Sequence, residues 1–383
     1  MKIAIEAQRI FREKKHGMDM VVLETIRELQ NLDMQNEYFV LVSPGKDRCL
    51  EETPNFHIIE VTTPSYPLWE QYGLLHAVNR IKPDVLHCTS NTAPLFCKIP
   101  LVLTLHDIIF LEPREGSAGS LYQNLGWYYR KCIVPRILKK CSKIITVSQF
   151  ECRRIQEKLH LSADRIMYIY NGFSSHFHPV PDFLPIVHRY LDSDHFFFFL
   201  GNTDPKKNTA RTLKAYALYA RRVGLEQALP LLVADLDKDH LEAHIKAEEL
   251  DDVAKLIHVS GYIANKDLPA VFTAARAFVY TSLRESFGIP LLEAMACGTP
   301  VLTSNTSSMP EIGGDGALLV DPFNEWDMAF LLESLATDDL LCERLRKQGF
   351  ENIKRFSWKH TAECVLEVYK EVYHQTTSKD DRN

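Results

Sequence analysis

The regular alternation of short apolar runs with longer amphipathic runs is the feature that most restricts the fold of this chain. Apolar runs of about four to eight residues are strand-sized, and nearly continuous apolar strands separated by helices are typical of parallel sheets covered on both faces. The predicted strands are 2–7, 37–43, 85–89, 101–107, 143–148, 196–202, 230–235, 256–261, 277–282, 300–305 and 317–321. The predicted helices are 18–32, 69–81, 121–142, 208–222, 238–249, 266–275, 289–296 and 326–336.

Segment 171–185 divides this pattern into two halves. It contains three prolines and an Asn-Gly pair but no helical period, which favours a linker. A chain of 383 residues is also long for a single core. We therefore predict two α/β domains, residues 1–178 and 179–357, with the binding site in the cleft between them, outside the carboxyl ends of the strands.

Composition and charge exclude several classes of protein. A net charge of −6 argues against a protein held on nucleic acid by its overall charge. The nine cysteines are odd in number and form no Cys-x-x-Cys pair, which favours reduced thiols and disfavours a zinc site. The N-terminus shows no signal-peptide pattern, and no apolar run reaches the membrane-spanning length of about 18 residues. We expect a cytoplasmic protein that binds no nucleic acid.

Two acids, Glu285 and Glu293, flank a predicted helix start. The preceding strand is predicted to end near Ser282, and Pro290 suits the first turn of a helix, where its missing N–H costs nothing. Glu285 should therefore lie in the strand–helix loop and Glu293 about one turn into the helix.

The amides of Phe287, Gly288 and Ile289 should point out of this helix start, where the helix dipole favours an anion. Glycine at 288 allows a ligand to approach the backbone closely. A diphosphate would fit these amides, and the two acids would accept hydrogen bonds from hydroxyls on either side, as in a sugar nucleotide. Two ordinary surface acids would fit the spacing equally well.

The spacing of these two acids resembles the E-x7-E motif of the retaining, two-domain (GT-B) glycosyltransferases of glycosyltransferase family four. The resemblance extends over essentially the whole chain. The other segments that carry it are the glycine loop and first helix at 16–29, then 103–110, 143–150, 168–173, the lysine loop at 200–208, 293–322 and 356–372.

This resemblance implies two Rossmann-like domains facing across a cleft, with a C-terminal helix, 358–376, that returns to the first domain. It also implies sugar transfer from a nucleotide donor with retention, without a metal or other cofactor. Two Asp-x-Asp pairs, 192–194 and 235–237, match a metal-binding motif of another glycosyltransferase fold. Such pairs are common in turns, so we expect no metal there.

Individual roles also follow from the resemblance. The catalytic candidates are His106, near the anomeric carbon of the donor sugar, and Glu285, on the sugar hydroxyls. Glu293 would bind the ribose, and Lys207, with Lys206 beside it, would meet the diphosphate. The donor-binding candidates are Gly17, Gly201, Asn202, Lys206, Lys207, Phe287, Gly288, Ile289 and Glu293.

Two departures from the family pattern leave the activity open. Asn202 and Thr203 occupy a stretch in which many relatives carry an arginine, so a bidentate contact is missing. The first loop has one glycine, Gly17, and carries Asp19, which would repel a diphosphate and is expected to bind a sugar or acceptor hydroxyl instead. An inactive sugar-nucleotide-binding module therefore also fits the sequence.

For the donor we favour GDP-mannose, because segment 307–322 resembles family members that transfer mannose. The sequence is also compatible with UDP-glucose or a UDP-N-acetylhexosamine as donor, and with a sugar-nucleotide epimerase. A dehydrogenase is disfavoured, since no Gly-x-Gly-x-x-Gly follows the first strand of either half. The expected acceptor is a glycan or lipid-linked glycan of cell-surface polysaccharide.

Two further segments admit two interpretations each. Segment 66–73, rich in aromatic residues, either lines the acceptor side or packs in the core. Segment 128–143 has six basic residues and no acid, which suits peripheral contact with an anionic membrane or a merely solvated helix face. At helical spacing its basic face carries Arg136, Lys139, Lys140 and Lys143, opposite Ile133, Ile137 and Cys141.

Overall fold

Thirteen short apolar strands form two parallel sheets in the computed structural model, which describes residues 1–112 and 121–380. Contacts divide the chain into a first unit, Met1–Gly172 together with the segment from Ser357 onward, and a second unit, Phe173–Phe356. Both units are α/β with parallel sheets, which confirms the predicted fold class.

The sheet of the first unit has the order β3-β2-β1-β4-β5-β6-β7, and every strand pairing in it is parallel. Ile3 of β1 pairs with Tyr38 on one side and with Val85 on the other, so the order reverses at β1. The strands are β1 (Lys2–Glu6), β2 (Glu37–Val42), β3 (Phe56–Glu60), β4 (Val85–Cys88), β5 (Leu101–Thr104), β6 (Lys143–Thr146) and β7 (Ile166–Tyr168).

The sheet of the second unit has the order β10-β9-β8-β11-β12-β13, again with parallel pairing throughout. Its order reverses at β8, and ligands of open α/β sheets bind at such a reversal, beyond the carboxyl ends of the strands. The strands are β8 (Phe197–Leu200), β9 (Leu231–Ala234), β10 (Ile257–Gly261), β11 (Ala277–Tyr280), β12 (Val301–Ser304) and β13 (Ala317–Val320).

Helices cover both sheets. The α-helices are α1 (Gly17–Leu32), α2 (Tyr66–Leu68), α3 (Leu75–Ile81), α4 (Leu121–Leu138), α5 (Gln149–Leu159), α6 (Leu184–Val187), α7 (Thr209–Val223), α8 (Lys238–Ala247), α9 (Leu268–Ala274), α10 (Ile289–Ala296), α11 (Met309–Gly313), α12 (Glu325–Thr337), α13 (Asp339–Asn352) and α14 (Trp358–Asp380). A π-helical stretch, Trp69–Leu74, joins α2 to α3. Short 3-10 turns are Ile109–Leu111, Ala163–Arg165, Pro205–Lys207, Ala254–Leu256, Gly314–Gly316 and Ile353–Arg355.

The last helix, α14, belongs to the first unit, where it packs on α1. Its buried side chains, among them Val365 and Tyr369, join the same apolar cluster as Ile26 and Leu29 of α1. Gly172 lies directly against the start of α14. A Cβ on Gly172 would lie 2.2 Å from the backbone nitrogen of Trp358. The C-terminal helix, predicted over 358–376, continues to Asp380, and residues 381–383 lie outside the described part of the chain.

The basic segment 128–143 differs from its prediction at its end. Its apolar face is buried as predicted, but α4 stops at Leu138 and Lys143 begins β6. Lys143 is only 12 % exposed and pairs with Glu371 of α14 at 2.9 Å, so it does not belong to the predicted basic face. Among the described helices none is long and apolar enough to cross a membrane.

Candidate active site

The lysine loop of the second unit follows β8 at the point where the strand order reverses. It forms a 3-10 turn, Pro205–Lys207, and then Asn208 in a left-handed conformation, φ 59°, before α7 begins. The Asn208 amide donates to the carbonyls of Thr281, 3.2 Å, and Pro322, 2.8 Å. The loop is thereby held to the segments that follow β11 and β13.

This placement brings Lys207 against Glu285. The Lys207 Nζ lies 2.7 Å from Glu285 Oε1 and 2.8 Å from the hydroxyl of Tyr280, which itself donates to Glu285 Oε1 at 3.0 Å. Burial, together with the Glu285 charge, raises the pKa of Tyr280 well above its ordinary value, so its hydroxyl stays protonated. Lys207 and Glu285 are 17 % and 16 % exposed, so an incoming ligand could still reach both.

The backbone of Glu285 is held by the loop after β12. Its N–H donates to Ser307 Oγ at 3.0 Å, while its carbonyl accepts from Ser307 Oγ at 2.5 Å and from Ser308 Oγ at 3.0 Å. Ser308 also donates to the carbonyl of Phe287 at 2.8 Å. These bonds fix the turn that leads into α10.

Helix α10 begins at Ile289, after Gly288 with a φ of 110°. A side chain at Gly288 would be strained by that φ, and its Cβ would lie 2.7 Å from Cε of Met309. The first-turn amides have no partner within a helix, and the dipole favours negative charge at this end. The predicted bounds of this helix, 289–296, are confirmed.

Glu293 lies on α10, partly exposed. Desolvation raises the pKa of its carboxyl group to about 8. Within the described residues its carboxylate makes no hydrogen bond or ion pair, in contrast to Glu285. A half-buried carboxyl group without a protein partner is suited to accept hydrogen bonds from ligand hydroxyls.

Gly201 and Asn202 shape the lysine loop from its other end. Gly201 donates to the carbonyl of Ala234 at 3.0 Å, and a Cβ there would lie 2.6 Å from the ring of Phe199. Asn202 Oδ1 accepts from the N–H of Asp204 at 2.9 Å. The Asn202 side chain therefore closes a turn within the loop, whatever else it contacts.

Lys206 forms an ion pair with Asp204 of the same loop. Its Nζ lies 3.4 Å from Asp204 Oδ2, and its carbonyl accepts from the N–H of Leu283 at 2.7 Å. The two adjacent lysines thus differ: Lys207 is placed against Glu285, whereas Lys206 pairs with a carboxylate that is nearly half exposed.

Two candidate residues, Gly17 and His106, lie in the first unit. Gly17 opens α1 and has no atom within 4 Å of the position that its Cβ would take. Asp19, expected to bind a hydroxyl, is buried instead: Oδ2 accepts from the N–H of His16 at 3.0 Å, and Oδ1 lies 3.2 Å from Arg9 Nε. Helix capping and Arg9 therefore engage both carboxylate oxygens of Asp19, and its contact with a sugar or acceptor hydroxyl stays a prediction.

His106 follows β5 and is buried. Its Nε2 lies 3.0 Å from the carbonyl oxygen of Thr89, and its backbone N–H donates to Asn91 Oδ1 at 2.7 Å. Since a carbonyl only accepts, Nε2 carries the proton. Burial lowers the pKa of His106, so the ring is neutral and its Nδ1 is a hydrogen-bond acceptor.

The sequence alone did not identify Tyr280, Ser307 or Asn208. Tyr280 lies within an apolar strand and resembles any core tyrosine; its position as the last residue of β11 was the only available signal. The two Asp-x-Asp pairs have local partners: Asp194 pairs with His188 at 2.8 Å, and Asp237 caps α8. In the part of the chain that the structure describes, no three His, Cys, Asp or Glu residues are arranged to hold a metal.

Comparison with known proteins agrees with this architecture. Residues 16–176 match the model of Glycosyltransferase Family 4, and 186–352 match that of Glycosyl transferases group 1. The chain is 34 % identical over 315 residues to the O-antigen chain mannosyltransferase B of Escherichia coli, covering 79 % of this chain and 80 % of that protein.

Solved structures share the fold at lower identity. Sucrose-phosphate synthase from Thermosynechococcus elongatus superposes with a TM-score of 0.76 at 18 % identity, covering 98 % of this chain and 99 % of that one. Anabaena HepE, solved in complex with UDP and glucose, gives 0.71 at 19 % identity, covering 97 % and 100 %. The fold is thus that of a GT-B glycosyltransferase. By sequence, the chain belongs to glycosyltransferase family four.

Proposed function

We propose that this protein transfers mannose from GDP-mannose to a glycan or lipid-linked acceptor during synthesis of cell-surface polysaccharide, on the cytoplasmic side of the membrane. The name of the Escherichia coli relative, an O-antigen chain mannosyltransferase, supports both the sugar and the type of product. Segment 307–322, which resembles mannose-transferring members of the family, supports the same donor.

The Lys207–Glu285 pair beside the start of α10 carries the proposal. A cation for the diphosphate and an acid for the sugar hydroxyls are within 2.7 Å of each other. The start of α10 adds amides and a favourable dipole for phosphate oxygens. Glu293, whose carboxylate has no hydrogen bond or ion pair to any residue that the structure describes, is proposed to accept from the ribose hydroxyls. The same arrangement would suit a UDP-sugar, so it does not choose between the nucleotides.

In the proposed reaction, the bond between the anomeric carbon and the diphosphate oxygen breaks. The acceptor hydroxyl oxygen attacks the anomeric carbon from the same face, and its proton passes to the departing phosphate. Lys207 stabilises the charge that develops on the leaving group. His106 is proposed to contact the donor sugar and Gly17 the phosphates, as the family resemblance implies. The reaction is proposed to retain the anomeric configuration and to need no metal.

A thermal-shift screen against GDP, UDP, ADP and their sugar conjugates tests the donor. A ligand at 100 times its Kd adds about 2.7 kcal/mol, or a few degrees for domains of this size. We expect shifts with GDP and GDP-mannose only. Shifts with uridine ligands alone would replace the donor but keep the enzyme class, and no shift with any nucleotide would contradict the proposal. Turnover of a UDP-N-acetylhexosamine without acceptor would indicate an epimerase.

Mannosyl transfer to a synthetic acceptor then tests the mechanism. We expect a product of retained anomeric configuration by NMR, formed at the same rate with and without EDTA. Glu293→Ala should weaken GDP binding, whereas Glu285→Ala should preserve GDP binding and abolish transfer. The proposed division of roles would be wrong if Glu293→Ala bound GDP normally or Glu285→Ala retained near wild-type transfer.

A further inference from the structure

Asp235 directly follows β9 and differs from the next acid, Asp237, in having no local partner. Asp237 caps α8, where its side chain accepts from the N–H of His240. The carboxylate of Asp235 is exposed and makes no hydrogen bond or ion pair to any residue that the structure describes. Its backbone has a φ of 62°, a left-handed conformation that residues other than glycine rarely adopt. An unpaired carboxylate on an uncommon backbone conformation indicates a role other than stability.

Asp235 lies at the same edge of the second sheet as the lysine loop. Strand β9 pairs with β8, and such parallel neighbours lie about 4.8 Å apart. The N–H of Gly201 donates to the carbonyl of Ala234, and the N–H of Asp235 donates to the carbonyl of Gly261, both at 3.0 Å. Although the carboxylate is exposed, the surrounding loops desolvate it enough to raise the pKa of Asp235, and the charge of Lys207 lowers that pKa. Asp235 is therefore close enough to Lys207 to interact with its charge.

An exposed aromatic side chain follows the next strand, β10. Tyr262 is 78 % exposed and comes directly after Gly261, which has a φ of 63°. Since Asp235 is hydrogen-bonded to Gly261, the carboxylate and the tyrosine belong to adjacent strand ends. An exposed ring and an unpaired carboxylate at adjacent positions suit a planar ligand with hydrogen-bond donors on its edge.

The proposed donor would extend towards these two residues. Its sugar is assigned to Glu285, whose N–H donates to Ser307 in the loop after β12. Its diphosphate is assigned to Lys207, after β8. Strands β9 and β10 lie on the side of β8 away from β11 and β12, so the nucleoside would lie over the ends of β9 and β10.

We propose that Asp235 selects guanine as the base of the donor nucleotide. Guanine presents two adjacent donors on one edge, N1–H and the N2 amino group, and the two oxygens of a carboxylate accept from both. Uracil presents a single N–H between two carbonyl oxygens, so the second carboxylate oxygen would face a carbonyl and be repelled. Tyr262 would pack on the face of the base and add affinity without selectivity, because every base has such a face. This inference rests on the proposed function, since it assumes a nucleotide donor at Lys207 and Glu285.

Four nucleoside diphosphates that differ only in the base test the role of Asp235. They are GDP, inosine diphosphate (IDP), xanthosine diphosphate (XDP) and UDP, with Kd measured by isothermal titration calorimetry on the whole chain. Inosine lacks the N2 amino group, so IDP should bind the wild type roughly 10- to 100-fold more weakly than GDP, the effect of one hydrogen bond to a charged group. UDP should bind more weakly than IDP.

Asp235→Asn should move the preference from guanine to xanthine. Asparagine still adopts the left-handed conformation, but its amide offers one acceptor and one donor. Guanine needs two acceptors, whereas xanthine, with a carbonyl at C2, needs one acceptor and one donor. We expect the variant to bind GDP roughly 10- to 100-fold more weakly than the wild type and XDP more tightly. Asp239→Asn, which removes an exposed charge from α8, is the control and should leave all four affinities unchanged.

Tyr262→Ala separates packing on the base from selection of the base. It should weaken all four nucleotides by similar factors, roughly 5- to 150-fold, and leave the ratio of the GDP and UDP affinities unchanged. Circular dichroism melting checks that each variant is folded.

Two results would overturn the assignment of the base to Asp235. One is a wild type that binds UDP as tightly as GDP or more tightly. The other is an Asp235→Asn variant that loses GDP and UDP affinity by the same factor, since the carboxylate would then contact a group common to both nucleotides. In both cases the protein still binds nucleotides, so a nucleotide-sugar transferase stands. Binding of none of the four by the wild type would instead contradict the proposed function itself.

Discussion

At the scale of single residues, one hydroxyl couples the two charged groups of the candidate site. Tyr280 accepts from Lys207 and donates to Glu285, so it sets the position of both. Tyr280→Phe should lower the rate of sugar transfer roughly 10- to 100-fold with little change in nucleotide affinity, because a hydrogen bond to a charged group contributes about 1.5–3 kcal/mol. Steady-state kinetics with GDP-mannose as the varied substrate measure both quantities.

Tyr216→Phe is the matched control for this prediction. The Tyr216 hydroxyl is also buried and hydrogen-bonded, but to the carbonyls of Leu229 and Leu256, at the opposite end of the sheet. It should lower the melting temperature without changing kcat. An equal loss of kcat in both variants would show that Tyr280 acts only through stability.

The raised pKa of Glu293 should make the free energy of unfolding depend on pH. Its pKa is raised to about 8 by burial from an ordinary value of 4.5, so the folded state binds the proton more tightly than the unfolded state. The free energy of unfolding therefore falls as pH rises from about 4.5 to 8. Glu293→Gln should remove this part of the slope and stabilise the protein more at pH 8.5 than at pH 5.5.

Melting temperatures of wild type and Glu293→Gln across that pH range, without nucleotide, measure the effect. Glu242→Gln, at a glutamate of α8 that is 64 % exposed, is the control and should leave the slope unchanged. A Glu293→Gln slope parallel to that of the wild type would contradict the raised pKa.

The sequence predicted individual site residues but not the contacts between them. Glu285 and Glu293 were identified because their spacing around Gly288 is a pattern, and Lys207 because it belongs to a known loop. The Lys207–Glu285 contact joins residues 78 positions apart and depends on how β8 and β11 pair. The ion pair of Asp19 with Arg9 was likewise not predicted, because Arg9 comes from the loop before α1.

At the scale of elements, α10 depends on the conformation of a single glycine. Gly288→Ala should destabilise the protein by about 1–3 kcal/mol, because alanine is strained at a φ of 110° and its Cβ would meet Met309. It should also weaken nucleotide binding, since the displaced residues begin the helix proposed to bind the diphosphate. Urea unfolding and nucleotide titration measure the two effects.

Gly224→Ala provides the comparison for Gly288→Ala. Gly224 ends α7 with a φ of 92°, but no atom lies within 4 Å of the position that its Cβ would take. Gly224→Ala should lower the free energy of unfolding by the backbone strain alone and leave nucleotide affinity unchanged. If both substitutions changed nucleotide affinity equally, the proposal that the start of α10 binds the nucleotide would be wrong.

Elements with a strong period were predicted within a few residues, and the missed ones have weak or hidden signals. Helix α5 was missed although Ser148 and Glu151 form a capping pattern ahead of it, with Ser148 Oγ accepting from Glu151 at 3.2 Å. Strand β7 has three residues at the edge of its sheet and no detectable alternation. Strand β3 has only one fully buried residue, Phe56, so its apolar run is inconspicuous.

At the scale of the whole molecule, the two units differ in how the chain completes their cores. The apolar clusters of the second unit are built from residues of Phe173–Phe356 alone. A main cluster of the first unit includes side chains of α14, among them Val365, Val368 and Tyr369. Tyr369 also hydrogen-bonds the buried His87 at 2.7 Å. Hydrophobic periodicity indicates that α14 is amphipathic, but it does not indicate which of the two cores the helix completes. Its return to the first unit was predicted from the family resemblance alone.

This difference predicts how fragments behave. Residues 173–356 expressed alone should fold and melt cooperatively, and should keep the nucleotide-induced shift because Lys207, Glu285 and Glu293 are all present. Residues 1–172 alone should not fold, since removal of α14 exposes the apolar faces of α1 and the sheet and leaves His87 without its partner. Joining 172 to 357 by a short glycine linker should restore folding, because Gly172 already lies against Trp358. Circular dichroism melts of the three fragments decide the matter: a cooperative melt of 1–172 without α14 would show that the last helix covers a core that is already complete.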